Sequence, residues 1–261
     1  MKTGTGYALI TGASSGIGRA LAFEFATHGH SLVLAARRRD LLEELASELT
    51  RNHQIDVRCL ASDLTAPGAP AALQKELEEA GIQVEILVNN AGIGKAGPFS
   101  RYPLESDLGM IDLNVRVPLE LCKRFLPGMV DRKSGRILNV ASTAAFQPGP
   151  NLAVYYASKA FLLSFSEGLS RENRDTGVSI TALCPGPTRT EFHARAGMLK
   201  SRAIHGRNLP PAAEVAAYGY RAVMRGKPVA VHGFLNRVLV TLLRLAPRSW
   251  VREVMHRIHA P

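Results

Sequence analysis

The stretch "TGASSGIG" at residues 11–18 decides how the rest of the chain is read. An apolar run over residues 6–11 leads into it, and a helical pattern over residues 16–29 leads out. Gly12 permits a tight turn, while Gly16 and Gly18 let a ligand and the sheet come close to the backbone. Together with Ser14, Ser15 and Ile17 they make a strand–turn–helix junction. The free N–H groups at such a helix start attract a pyrophosphate. A turn of this kind can also serve only to join a strand to a helix. Its place in the first strand–helix unit favours dinucleotide binding.

Working outward, strand-like and helix-like segments alternate. "SLVLAA" (31–36), "DVRCLASD" (56–63), "VEILVNNAG" (84–92), "GRILNVAS" (135–142), "GVSITALCPG" (177–186) and "PVAVHG" (228–233) read as strands. Helical patterns fall at 38–50, 66–80, 103–132 (broken near Val115–Pro118), 152–175 and 212–226. Strands separated by helices of this length need crossover connections, which gives a parallel sheet covered on both faces. The expected fold is therefore α/β, a Rossmann-type doubly wound sheet of about seven strands with a C-terminal helical extension. Residues 1–233 read as one domain with a lid loop at about 187–211, and residues 234–261 as a basic amphipathic tail.

Composition narrows the function. The chain has 261 residues and a formal net charge of +10. Residues 201–261 hold ten Lys/Arg against two Asp/Glu, so the basicity sits mostly in this last stretch of the chain. A nucleic-acid binder would spread it differently, and none is expected as a partner. No apolar run is long enough to span a bilayer. The N-terminus reads as a first strand and not as a secretory signal. Cys59, Cys122 and Cys184 are too widely spaced for a zinc site or a disulfide framework, which suits a reducing cytoplasm. The lid histidines His193 and His205 lack companion ligands and read as surface residues, so no metal is expected.

The second strand ends in Ala36-Arg37-Arg38-Arg39. An acid about 20 residues beyond the glycines would hold the ribose 2′-hydroxyl of NAD, but Arg37 stands there instead. Its guanidinium can neutralise a 2′-phosphate, and three cations at a helix start oppose the macrodipole and want a reason. The reading is NADP(H) over NAD(H).

"VYYASK" at 154–159 sets two tyrosines before a lysine on one helix. Spacings of three and four both bring side chains together, so geometry leaves Tyr155 and Tyr156 both open as partners of Lys159. Hydride delivery to a carbonyl leaves an alkoxide that must be protonated. A phenol with a pKa of ~10 can donate that proton, and a nearby ammonium favours the phenolate needed for the reverse step. Ser142 ends a strand, at the sheet edge where ligands bind.

With "TGASSGIG", "NNAG" (89–92), Asn114 in "DLNV", Ser142 in "NVAS", the Tyr155 and Lys159 pair, and "PGPTRT" (185–190), the chain resembles the classical short-chain dehydrogenase/reductase family over about residues 6–190. The order and spacing of these motifs together carry the resemblance. It implies an oxidoreductase that interconverts carbonyls and alcohols with a nicotinamide cofactor. It selects Tyr155 as general acid and base and leaves Tyr156 as packing. It implies that Lys159 binds the nicotinamide ribose and favours tyrosinate, that Ser142 holds the substrate oxygen, and that Asn114 holds a water in a proton relay. It places Asp63 and Leu64 near adenine and Asn90, Ala91 and Gly92 along the cofactor cleft. Pro185, Gly186, Thr188 and Thr190 would lie about the carboxamide and phosphates. A homo-dimer or tetramer is implied through the helices at about 103–132 and 152–175.

The substrate expected is a small ketone, aldehyde or alcohol with apolar bulk, and Phe192 and Met198 are candidates to line its pocket. Alternatives are a 3-oxoacyl thioester reductase, whose substrate the lid arginines would meet, and a non-catalytic NADP(H)-binding regulator. The tail has two readings. One is a helical extension over the cleft or against another subunit. The other is a peripheral element on an anionic membrane, broken at Pro247.

Overall fold

The computed structural model describes residues 6–198, 204, 206 and 208–259; His205 lies outside the described residues. Seven strands form one wholly parallel sheet. They are β1 (Tyr7–Thr11), β2 (Ser31–Ala36), β3 (Val57–Ala61), β4 (Val84–Asn89), β5 (Gly135–Val140), β6 (Val178–Cys184) and β7 (Val229–Val231). Their order is β3-β2-β1-β4-β5-β6-β7. The winding reverses between β1 and β4, which opens a crevice at their carboxyl ends.

Helices cover both faces because the strands are apolar on both sides. α1 (Gly16–Thr27), α2 (Arg39–His53) and a later α8 (Ala212–Met224) bury Leu21, Phe25, Leu42, Leu45 and Val223 against Ala8, Ile10, Leu34 and Val88. On the other face, α3 (Ala69–Glu79) and α5 (Val117–Asp131) bury Leu73, Leu77 and Leu121 against Leu9, Val33, Leu87 and Ile137. Alternate residues of β1 thus serve opposite cores, as a strand period of two requires.

α4 (Leu104–Ile111) runs into α5 through a wide turn over Asp112–Arg116, where the Val117 N–H reaches back five residues to the Asp112 carbonyl. This is the break expected near Val115–Pro118. α6 (Ala153–Glu172) is the longest helix described and crosses behind β5 and β6. The lid region holds a short helix that loop-like composition did not foretell, α7 (Phe192–Arg195). Its ends are tied where the Arg189 N–H donates to the Pro210 carbonyl at 2.9 Å. After β7 come α9 (Phe234–Leu243) and α10 (Arg248–His259), separated at Pro247 as expected.

Candidate active site

The first turn is a cradle that only small residues allow. Gly12 and Gly16 hold φ of +66° and +58°. A Cβ on Gly12 would sit 2.9 Å from the Ala91 backbone, and one on Gly16 would touch Thr190 at 3.3 Å. A Cβ on Gly18 would strike the Gly12 carbonyl at 2.3 Å. Gly18 is buried and does not line the cleft, so its part is to let α1 lie against the turn rather than to touch a ligand. No side chain caps α1 at Ser15, which leaves its first N–H groups facing the crevice.

Thr11 and Asn90 hold the two sides of the crevice together. The Asn90 and Ala91 N–H groups both donate to Thr11 Oγ1 at 3.0 Å, and Asn90 Nδ2 donates to the Thr11 carbonyl at 2.9 Å. The crevice is a cleft of about 860 Å³. Ser14, Ser15, Gly16 and Ile17 form its glycine-turn wall, and Asn90, Ala91 and Gly92 face them. Asp63, Leu64, Pro185, Gly186, Thr188 and Thr190 line it too, with Thr190 against Gly16. Asp63 accepts from the Thr65 N–H at 3.0 Å and hydroxyl at 2.7 Å, and these bonds hold its carboxyl below the usual range.

Two arginines meet the cleft at the end of β2. Arg37 is exposed, and Arg38 donates to Ser14 Oγ at 3.1 Å. Arg38 was missed as a site residue. The run of three arginines was its signal, but only a fold shows which of them turn back to the glycine turn. An adenosine dinucleotide fits these groups, with N–H donors for phosphates and cations beside the turn.

Further along, Ser142 follows β5 and caps a short turn, accepting from the Ala144 N–H at 3.1 Å. The Ser142 hydroxyl stands 3.4 Å from the Pro185 carbonyl and shares the cleft wall with the Tyr155 phenol, whose ionised form it favours. Lys159, one helical turn on, donates from Nζ to the Val140 carbonyl at 2.9 Å and stands 5.9 Å from the Tyr155 ring centroid. Burial pushes the Tyr155 phenol up to about 12, with Ser142 opposing. Burial also pulls the Lys159 amine down to about 8. The spacing leads one to expect the ammonium to lower the phenol pKa, but desolvation dominates at Tyr155 and the amine is engaged by the Val140 carbonyl instead.

Asn114 lies behind this group and does not line the cleft. Its Oδ1 accepts from the Ile93 N–H at 3.0 Å, and its Nδ2 donates to the Ile93 carbonyl at 2.9 Å and to Ser158 Oγ at 3.0 Å. Its side-chain donors are therefore used up. Its backbone carbonyl is different, because Pro118, four residues on, has no N–H to give it.

The lid closes the other side. Phe192 packs 5.4 Å from the Tyr155 ring, and Met198 joins it along the cleft. Ile93, Ala144 and Tyr156 add apolar lining beside them. His193 is buried, which corrects its reading as a surface residue. Its Nε2 donates to the Thr188 carbonyl at 2.9 Å, and burial lowers its pKa. That carbonyl is presented by the proline turn, so no nearby polar residue in sequence announced it. No cluster of three metal-ligating side chains occurs among the described residues.

A family model described as short chain dehydrogenase matches residues 6–198. A short chain dehydrogenase of Pseudocercospora fijiensis is 36% identical over 200 residues, 76% of this chain and 64% of the relative. Human very-long-chain 3-oxoacyl-CoA reductase is 35% identical over 185 residues, 69% of this chain and 58% of that protein. The chain thus spans less than two thirds of the length of these two relatives. Among solved structures, a short-chain dehydrogenase from Sphingobium yanoikuyae in complex with NADPH superposes with a TM-score of 0.81 at 33% identity, covering 92% of this chain and 94% of that one.

Proposed function

Since the chain belongs to the short chain dehydrogenase family and is an oxidoreductase of it, we propose that it interconverts a ketone or aldehyde and an alcohol with apolar bulk, using NADP(H) in preference to NAD(H). One observation carries the reading. The Tyr155 phenol and the Ser142 hydroxyl line the same cleft as the glycine turn that cradles phosphate, with Lys159 buried beside them.

When bound, the nicotinamide supplies or accepts the hydride. Everything else falls to the chain. Ser142 donates to the carbonyl oxygen and holds it beside the phenol. Tyr155 gives its proton to that oxygen as charge develops, and recovers one from the interior afterwards. A pKa of about 12 keeps the phenol protonated through the neutral range, which suits reduction. Lys159 anchors the ribose side and stabilises the phenolate left behind. The Asn114 carbonyl, to which Pro118 has no N–H to give, holds a water that passes a proton toward Lys159. Phe192 and Met198 keep bulk water from the reacting carbon.

Arg37 and Arg38 support the cofactor preference, since both reach the cleft where a 2′-phosphate would lie. Exposed Leu104, Leu108 and Leu119 on α4 and α5 support a homo-dimer or tetramer. Residues 1–233 form the catalytic unit in this reading and 234–261 its tail. The three cysteines are free thiols, as a reducing cytoplasm keeps them. A thioester substrate is the second reading, favoured by the human relative's name and by Arg195 beside the cleft.

A carbonyl panel that includes ketones, aldehydes and 3-oxoacyl thioesters, run with NADPH and NADH in parallel, tests all of this. Turnover with NADPH on bulky ketones is expected. Cofactor binding with no turnover on any member would make the chain a regulator. Arg37→Asp is expected to weaken NADPH by about tenfold or more while sparing NADH. Equal losses would show that Arg37 does not read the phosphate.

A further inference from the structure

We propose that the outer face of α9 and α10 docks on an anionic lipid surface. The two helices are held to the body by one side only. Leu243, Ala246, Val251, Met255 and Ile258 pack in the cluster that contains Tyr155, Phe192 and Met198. The opposite side is bare. Leu235, Leu239 and Leu242 follow the i, i+4, i+7 spacing of a single helix face and are exposed, Leu235 by 72%. Leu245 at 81% and Trp250 at 71% are exposed on either side of Pro247. Large apolar side chains left bare together on a short stretch of chain mark an interaction site.

Charge selects the occupant. Arg237, Arg244, Arg248, Arg252 and Arg257 lie on these two helices or the turn between them, against one acid, Glu253. Glu253 is taken by Arg257 at 3.0 Å, and no other arginine of this group has an acidic partner among the described residues. A second copy meeting this face through a two-fold axis would set arginine against arginine. Anionic headgroups would instead neutralise the row while the leucines and Trp250 enter the acyl boundary. No described helix is long and apolar enough to cross a membrane, so the element lies in the surface plane.

Docking also has a bearing on the cleft. Asn236, near the start of α9, packs against Gly186, where a Cβ would meet its Nδ2 at 2.5 Å. The docked face therefore backs onto both the lid cluster and the cofactor loop. The proposal stands on the tail's surface alone and does not depend on the catalytic reading.

The full chain should be mixed with vesicles of phosphatidylcholine alone and of phosphatidylcholine with phosphatidylserine, at low and high salt. Co-sedimentation with the phosphatidylserine vesicles is expected, falling with salt. The emission of Trp250, the one tryptophan, should shift to the blue on those vesicles. Leu235→Glu and Leu242→Glu, made separately, should each weaken vesicle binding by about tenfold or more while keeping the native unfolding transition. Three results would overturn the proposal: no binding to phosphatidylserine vesicles, undiminished binding by both folded variants, or an oligomer of the native chain that these substitutions dissociate. The last would make a second copy the occupant.

Discussion

Helix α6 meets the sheet at two polar stations, and they differ in kind. The upper one holds Tyr155, Ser158 and Lys159; the lower one, two turns on, holds Ser166. In the lower station Ser166 accepts from Asn139 Nδ2 at 2.8 Å and donates to the Leu162 carbonyl at 2.6 Å. Asn89 Nδ2 reaches Asn139 Oδ1 at 2.8 Å and Cys122 Sγ at 3.3 Å. All these groups are neutral and closed in, and burial pushes the Cys122 thiol up to about 12. The upper station is as deeply buried but includes an amine, and it opens on the cleft. A buried polar cluster is therefore not in itself a site. The mark of one is a charge set where burial disfavours it, beside a place for a ligand.

The sharpest way to break that contrast is Tyr155→Phe. Turnover should fall by about 10²–10⁴-fold, with NADPH affinity little changed, because only the proton donor is lost. Retained turnover would move the acid elsewhere. The native pH profile sharpens the point. Reduction needs the protonated phenol, so its rate should decline on the alkaline side, between about 8 and about 12 where Lys159 and Tyr155 titrate. Oxidation needs the phenolate and should rise over the same range.

Next comes Lys159→Met. Turnover should collapse, yet the protein should become more stable at pH 7. The folded pKa of about 8 lies below the ordinary 10.5, so the unfolded chain holds the proton more firmly. The penalty is complete below pH 8 and fades as pH rises toward 10.5. It is on the order of 3 kcal/mol, offset by about 1 kcal/mol for the lost bond to the Val140 carbonyl. Denaturant titrations at pH 7 and pH 10 would check this, and a stability gap that failed to narrow at pH 10 would contradict the assignment.

How far could these stations be read before the fold was known? The strands were legible because both faces of the sheet are largely buried, so most show as short apolar runs ended by Gly, Pro or a polar residue. The glycine turn and the Tyr155–Lys159 spacing were local and legible too. Contacts that close through space were not. Asn139 lies inside "GRILNVAS" and gives no sign that Asn89, 50 residues away, bonds it. His193 was misread because its partner is a backbone carbonyl, which no side-chain pattern reports. Gly18 reads in the sequence as admitting ligand and sheet alike, because the motif cannot separate a glycine that admits a phosphate from one that admits a helix. The wide turn at Asn114 was legible only as a break, through Pro118.

Smaller effects test the lower station. Ser166→Ala would leave the Asn139 amide without its acceptor and should cost about 1–3 kcal/mol of stability. NADPH affinity and turnover should hold, since none of these groups lines the cleft. A loss of activity at unchanged stability would mean that the two stations are coupled through α6. The mildest change is Tyr156→Phe. The Tyr156 ring lies where a Cβ on Gly149 would be, 2.2 Å from its edge, so the ring is held by shape. The Phe variant keeps that ring and should keep most of the activity, as read from kcat/KM on a bulky ketone. A loss as deep as that of Tyr155→Phe would hand the proton to the neighbouring phenol, and the upper station would have to be redrawn around a three-residue spacing to Lys159 instead of four.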